Sequence, residues 1–508
     1  MLQRYRKSLT YLTCLVTGFV ILVLELTSFR LLAPHYGVSN VITGIIINTI
    51  LLALAVGYLL GGYVADQYKS EILPYLVVLA ATVYLMLIYA VYPPLMDALV
   101  DQAVILGASL TVIVMFFLPM VLLAFIPPYF IKAISRQVNV GKAAGAIFAL
   151  STIGSIIGGL CTTFLLIPHM GSQATFLLAI ILLLGIATLG LISFNSRALF
   201  IVVLAVPLCL LPSAKTGKYV YRGESEYHVI TVTKGERGDD LYLLLNQTKG
   251  YHSKTLDPDT MLSYDYYDYF LVAQLLAGAK QTLILGNGAG TAMRQADHFL
   301  HARVHGVEID KQLSVLGQTY FGLEVGENLQ ITHEDARNFL HKNRQHYDAI
   351  IIDVYAGSPY VPFHVTTIEF YQQVKESLAA NGVVAVNIPF YALDTELSEY
   401  FLNTIKRVFT GSVYLSGCVA FVFDSKIRID ELFDRIRAQA VPASLIALSH
   451  DVIADFKPVE ITNPNKVFTD DYAPVESMTY AILKSEKHEH GDCHQPRAVE
   501  TDTLDVAH

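Results

Sequence analysis

Charge is scarce in this sequence, and cysteine scarcer still. Only 16% of the 508 residues are Asp, Glu, Lys or Arg, and the formal net charge is −9. No Lys/Arg cluster falls on an expected helix, which argues against nucleic acid as a partner. Of the five cysteines, Cys14, Cys161 and Cys209 sit in hydrophobic runs, leaving Cys418 and Cys493 for the polar part of the chain. That implies no disulfide framework. The first hydrophobic run is too long for the core of a signal peptide and lacks a small-x-small cleavage site, so it reads as a retained span.

What the chain has in excess is apolar residues. Hydrophobic side chains make up 53% and the mean hydropathy is +0.46, above the range of ordinary soluble proteins, and the length suggests two or more domains. The excess lies before residue 213. Apolar runs at 9–33, 41–65, 72–92, 104–131, 143–167, 173–193 and 198–212 are candidate spans by the criterion of about 20 residues. The last is short and contains Pro207, so an interfacial or re-entrant segment competes with a full crossing. Arg4, Arg6, Lys7, Lys69, Lys132, Arg136 and Lys142 mark one side as cytoplasmic. Gly57-x-x-x-Gly61 and Gly154-x-x-x-Gly158 allow helix backbones to approach closely and hint at an internal repeat. Glu25 is a charge at membrane depth and a functional candidate there.

From residue 213 the pattern changes. Residues 213–260 read as a small β-domain or linker, with a hairpin from Tyr227–Thr233 and Leu241–Leu245. Residues 261–485 read as a nucleoside-binding domain. Its organising stretch is 281–310, where the apolar strand Thr282–Leu285 feeds Gly286-Asn287-Gly288-Ala289-Gly290 and then a helix. A second strand ends in Glu308, about 20 residues beyond the glycines, where a βαβ unit sets a carboxylate against a ribose. The strand Tyr347–Asp353, a helix over 366–379 and a strand over 382–388 continue the alternation. Residues 486–508 read as a disordered tail, in which His488, His490, Cys493 and His494 are solvated rather than metal ligands.

The motifs YHVITV, LILGNGAG, GVEID, EDAR, YDAIIIDVYAGSP and EFYQQVKESLAANGVVAVNI resemble the spermidine synthase (aminopropyltransferase) family, and the apolar first half resembles its membrane-fused members. The resemblance implies a polytopic α-helical membrane domain of six to seven spans, a small β-domain, and an α/β Rossmann-like domain of the S-adenosylmethionine methyltransferase type. It also implies roles. Gly286, Gly288 and Gly290 let backbone approach the ligand, Glu308 holds the ribose, Asp335 the adenine amino group, and Asp353 takes a proton from the reacting group. Tyr267, or Tyr264 in another register, stands for the Tyr of the family's Tyr-His-Glu. Asp310 is expected to face away or into solvent, Tyr347 and Asp348 to be structural, and Asp470 or Asp471 to reach the site or close a loop.

Four positions depart from the family. Ala289 and Ala356 replace carboxylates that bind the amine, His228 replaces a Gln, and Asn246-Gln247-Thr248-Lys249-Gly250 replaces Asp-Gly-x-x-Gln. The resulting expectation is a membrane enzyme that cleaves the carbon–sulfur bond of S-adenosylmethionine without an external amine and releases 5′-methylthioadenosine. An aminopropyltransferase using the decarboxylated donor is one rival, and a transporter or sensor with a nucleoside-binding domain is another. No cofactor or metal is expected, and the oligomeric state is open. The bilayer is the expected partner, in the inner (plasma) membrane with the catalytic domain facing the cytoplasm.

Overall fold

The computed structural model describes residues 2–37, 39–100, 104–136, 138–197, 199–200, 219–235, 240–246, 250–355, 360–389 and 392–484. Expectations for the seventh apolar run, Ala356, Gln247–Lys249 and the C-terminal tail fall outside them. The chain divides into two units, residues 1–218 with 224–229, and residues 219–223 with 230–508.

The first unit is helical. Among the described residues five helices are long and apolar enough to cross a membrane, Arg6–Tyr36, Asn40–Gln67, Leu73–Tyr92, Ile105–Ile134 and Val140–Ser193. The last merges two of the runs read from sequence. At 54 residues and a rise of about 1.5 Å each it is more than twice as long as a hydrocarbon core of roughly 30 Å. It comprises Val140–Cys161, a π-helical turn Thr162–Leu166 and Ile167–Ser193, and it is kinked inside the last of these at Gly171, where φ is 75 and ψ 173. Both glycine pairs pack as their spacing suggests: an added Cβ at Gly61 would lie 2.3 Å from the Phe125 carbonyl oxygen, and one at Gly158 would lie 2.4 Å from that of Phe19.

The second unit is α/β. Four strands, β1 (Tyr221–Glu224), β2 (Val229–Lys234), β3 (Leu241–Leu245) and β4 (Ser253–Lys254), form a small sheet in sequential order. Within it β2 and β3 pair antiparallel as the expected hairpin, Ile230 opposite Leu245. The main sheet contains β5 (Gln281–Leu285), β6 (Arg303–Val307), β7 (Leu329–Thr332), β8 (Tyr347–Ile352), β9 (Leu378–Asn387), β10 (Val413–Ser416), β11 (Val419–Phe423) and β12 (Lys457–Pro458). Its order is β12-β10-β11-β9-β8-β5-β6-β7. The five strands from β9 to β7 run parallel and β11 returns antiparallel beside β9. Parallel strands buried on both faces need continuous apolar runs rather than alternation, which Ala349–Ile352 and Val383–Val386 supply, all buried.

The order reverses between β5 and β8. Strands after β5 build outward on one side and β8 and β9 on the other, so a crevice opens at the carboxyl ends of β5 and β8. Two local readings shift. The helix expected over 366–379 is Ile368–Glu376, capped by Thr367, and β9 begins at Leu378, ahead of the expected 382. A bulge between the Tyr347 and Ala349 pairings absorbs the extra residues. Cys14 and Cys161 are free, whereas Cys418 is disulfide-bonded, which the cysteine spacing did not suggest.

Candidate active site

The glycine loop is shaped by how close β5 and β8 come. Gly286 has φ 82, and an added Cβ would lie 2.2 Å from the Asp353 carbonyl oxygen. Any side chain there would push the two strand ends apart. Gly288 and Gly290 also have positive φ, 54 and 88, a region in which L side chains are strained. The N–H of Gly288 donates to Glu308 Oε2 at 2.8 Å, and that of Asp310 donates to Glu308 Oε1 at 3.0 Å. Glu308, 6% exposed, thus ties the glycine loop to the end of β6. Asp310 does not face solvent: it is buried and caps the helix Lys311–Tyr320 by accepting from Gln312 N at 3.0 Å. A cap must sit where the first helical N–H groups point, and here they point inward.

Asp353 ends β8 at the crevice. Its Oδ1 accepts from Asn387 Nδ2 at 2.8 Å and its Oδ2 from the Tyr266 hydroxyl at 3.2 Å. Burial pushes this carboxyl up to about 6, with the Asn387 and Tyr266 hydrogen bonds pulling the other way. Burial and the Asp353 charge also hold the Tyr266 and Tyr267 phenols well above the usual range.

Tyr266 is therefore the phenol on Asp353, one residue before the register read from sequence. Tyr267 stacks beside it, with ring centroids 4.1 Å apart. Tyr264 is turned away, at φ 53, with its hydroxyl on Thr260 Oγ1 at 3.0 Å. Asp268, buried at the helix start, accepts from Ser263 N at 2.8 Å, Ser263 Oγ at 2.7 Å, Tyr264 N at 2.8 Å and Gln295 Nε2 at 2.6 Å. These four donors fix the loop that delivers Tyr266. Asn387 also went unread. Its signal was a polar residue ending an apolar strand next to β8.

Asp335 lies past the end of β7 and caps the helix Ala336–Lys342, with Oδ1 accepting from Arg337 N and Asn338 N, each at 3.0 Å. Its Oδ2 is 3.2 Å from His364 Nε2. The His364 hydrogen bond, with the two helix N–H groups, holds the Asp335 carboxyl below its usual range. Asp470 closes a loop: it takes Arg337 Nη1 at 2.8 Å and Nη2 at 2.5 Å, and Thr367 Oγ1 at 2.8 Å. Asp471 is exposed. Tyr347 and Asp348 are structural, Asp348 Oδ2 accepting from Lys280 N at 2.9 Å and Gln281 N at 3.0 Å.

The positions that depart from the family are also placed. Ala289 is fully buried in an apolar cluster with Ile230, Leu313 and Phe321, and its N–H donates to Ser253 Oγ at 2.9 Å. Asn246 ends β3, buried, at φ 57. His228 is buried just ahead of β2, with its N–H on Ser225 Oγ at 2.9 Å. Among the described residues no group of three or more His, Cys, Asp or Glu is arranged to hold a metal.

Residues 270–426 match the spermine/spermidine synthase domain. A probable polyamine aminopropyl transferase of Bifidobacterium longum is 33% identical over 192 residues, 37% of this chain and 42% of that protein. A polyamine aminopropyltransferase of Vibrio vulnificus is 30% identical over 199 residues, 37% of this chain and 66% of that protein. The chain thus spans less than two thirds of the length of either relative. Among solved structures, the spermidine synthase of Thermotoga maritima covers 47% of this chain and 84% of its own, with 19% identity and a TM-score of 0.38. The strand order, the glycine loop with its carboxylate and the matched segment lead to one statement: residues 270–426 of this chain match a spermine/spermidine synthase domain, set on a doubly wound α/β sheet, and the chain is similar to polyamine aminopropyltransferases.

Proposed function

We propose that the α/β unit is an aminopropyltransferase-type enzyme that binds an S-adenosyl sulfonium at the carboxyl edge of its main sheet and uses Asp353 as the base. The observation that carries this is the buried Asp353, held by Asn387 and Tyr266 beside the glycine loop and raised to about 6. A base with that value is ionised at neutral pH and still accepts a proton readily. Glu308 would accept from the ribose hydroxyls and Asp335 from the adenine amino group. An amine nitrogen attacks the carbon next to the sulfonium, the carbon–sulfur bond breaks, and sulfur leaves with the electron pair as neutral 5′-methylthioadenosine. Asp353 takes the proton that the amine loses. No metal or redox cofactor enters this chemistry.

Ala289 favours a second reading. Its methyl group is buried among apolar side chains where the family has an amine-binding carboxylate, so an ammonium there would have no counter-charge. In that reading the substrate's own carboxylate attacks, or a base eliminates, and S-adenosylmethionine is cleaved without an acceptor. Incubating the full-length protein with S-adenosylmethionine alone, and with its decarboxylated form plus putrescine, separates the two. Amine-independent methylthioadenosine supports cleavage, and strict dependence on the amine supports transfer. Methylthioadenosine from neither mixture would reject both.

The helical unit is proposed as a multi-pass anchor in the plasma membrane. Six crossings return the chain to the side of its basic N-terminus, which sets the enzyme in the cytoplasm. A cysteine introduced at Gly217 should react with an impermeant thiol reagent only after permeabilisation.

A further inference from the structure

The helical unit contains two sets of three helices. The first set is Arg6–Tyr36, Asn40–Gln67 and Leu73–Tyr92, and the second is Ile105–Ile134, Val140–Cys161 and Ile167–Ser193. The middle helix of the first set packs through Gly57 and Gly61 on the first helix of the second set: added Cβ atoms would lie 2.4 Å from the Val121 oxygen and 2.3 Å from the Phe125 oxygen. The middle helix of the second set packs through Gly154 and Gly158 on the first helix of the first set, with Cβ atoms 2.1 Å from the Leu15 oxygen and 2.4 Å from the Phe19 oxygen. Both contacts run parallel, since numbers rise together on both partners. The exchange is reciprocal, as a two-fold operation requires.

The third helices pair with each other. Tyr75 meets Gly190, Tyr89 stacks on Phe176 with centroids 5.9 Å apart, and Gln173 donates to the Tyr92 hydroxyl at 2.5 Å. Numbers rise on one helix in the same steps as they fall on the other, so the pair is antiparallel in unbroken register. Its midpoint lies near Thr82 and Leu183, both fully buried. An odd number of crossings per set makes the second set enter from the opposite face. The two sets are therefore an inverted repeat, with the axis through the middle of the third-helix pair.

Each end of that pair is closed by an aromatic plug drawn from both sets. At one end Phe176 stacks with Tyr89 and meets Phe116 edge-on at 6.2 Å, and at the other Tyr75 meets Phe130 and Phe194, both at 6.0 Å. Inverted repeats of this kind underlie alternating access, in which one set rocks against the other about a central site. One charge is unaccounted for. Glu25, on the first helix, has no ionic or side-chain hydrogen-bond partner among the described residues. Leu22 is in contact with Gly159, so Glu25 is one turn further on, level with the π-helical turn that begins at Thr162, whose buried hydroxyl lacks a partner. Such turns recur at functional sites.

We propose that the helical unit is an alternating-access carrier for an organic cation, which Glu25 and the aromatic plugs recognise through charge and ring faces. This does not rest on the reading of the enzyme domain. The test uses the full-length protein in liposomes, with radiolabelled putrescine as the cationic probe and methylthioadenosine as a neutral one. Saturable putrescine uptake is expected, reduced at least tenfold by Glu25→Gln and partly restored by Glu25→Asp. In a Cys14→Ser, Cys161→Ser background, joining Leu85→Cys to Ile180→Cys, buried positions that the same register sets opposite each other outside the aromatic plugs, with a short cleavable bifunctional thiol reagent should stop uptake, and cleavage should restore it. A wild-type elution volume and thermal midpoint in detergent report that each variant is folded. No putrescine uptake by the wild type, uptake of methylthioadenosine alone, or full uptake by Glu25→Gln in folded protein would each overturn the proposal.

Discussion

Removing the Tyr266 hydroxyl should move the acid limb of the rate profile upward. In the structure the Asp353 carboxyl sits at about 6 because burial raises it while hydrogen bonds from Asn387 and Tyr266 lower it. Each hydrogen bond stabilises the charged form, so deleting one must raise the value further. A hydrogen bond to a charged group contributes about 1.5–3 kcal/mol, and one unit corresponds to about 1.4 kcal/mol, so Tyr266→Phe should raise Asp353 by about one unit. At pH 6 the ionised fraction would fall from about one half to about one tenth, and the rate of methylthioadenosine release with it, roughly fivefold. At pH 8 the two proteins should differ little. The assay is kcat/KM against pH for Tyr266→Phe and Asn387→Ala beside the wild type. A limb that stays in place or moves down, or an equal loss at every pH, would refute the hydrogen-bonded base and leave Tyr266 a packing residue.

The same carboxyl is a liability to the fold. An Asp raised from 3.8 to about 6 destabilises the native state as pH rises through that window, by up to about 3 kcal/mol at neutral pH. Asp353→Asn should therefore raise the thermal midpoint in detergent at pH 7.5 while lowering turnover by about 10²-fold; a lower midpoint would contradict the buried charge. Glu308→Gln should weaken binding of an adenosyl ligand by roughly 10–100-fold, since it replaces a charged acceptor by a neutral one, which calorimetry with methylthioadenosine can measure. Gly286→Ala should abolish that binding, because its Cβ would fall 2.2 Å from the Asp353 oxygen; binding at wild-type affinity would disprove the close approach of β5 and β8.

The glycine loop and its carboxylate were legible because they depend on spacing along the chain. A strand, three glycines and a carboxylate about 20 residues on leave few arrangements, and the hydrogen bonds that Glu308 accepts from the Gly288 and Asp310 N–H groups follow from it. Contacts set by the start of a helix were not legible. Tyr264, Tyr266 and Tyr267 differ only in where the helix begins, which Asp265 decides by accepting from Tyr266 N at 2.6 Å. One residue of slip turns a side chain by about 100°, enough to send the wrong hydroxyl to Asp353. Asp335 shows the same limit: a carboxylate before a helix satisfies both a capping reading and a ligand reading, and its two contacts with helix N–H groups show only the first. The long apolar helices were legible by length, but the exchange of glycine contacts between the two three-helix sets required coordinates.

A base at Asp353 would serve transfer and acceptor-free cleavage alike, so the residues that would divide the two reactions lie elsewhere. Ala289 is the clearest of them. Its neighbours Ile230, Val232, Leu243, Leu313 and Phe321 are all buried and apolar. A carboxylate at 289 would be buried without a partner in that cluster, at a cost of several kcal/mol. The loss of charge in the glycine loop and the apolar inner face of β2 and β3 are thus one arrangement, and neither is explained by a single substitution. A donor ending in a bare ammonium would have to leave water there unpaired, whereas a zwitterion carries its own counter-charge. Turnover of S-adenosylmethionine measured against its decarboxylated form therefore tests Ala289 directly: the cleavage reading expects the carboxylated donor to be preferred, and the transfer reading the decarboxylated one.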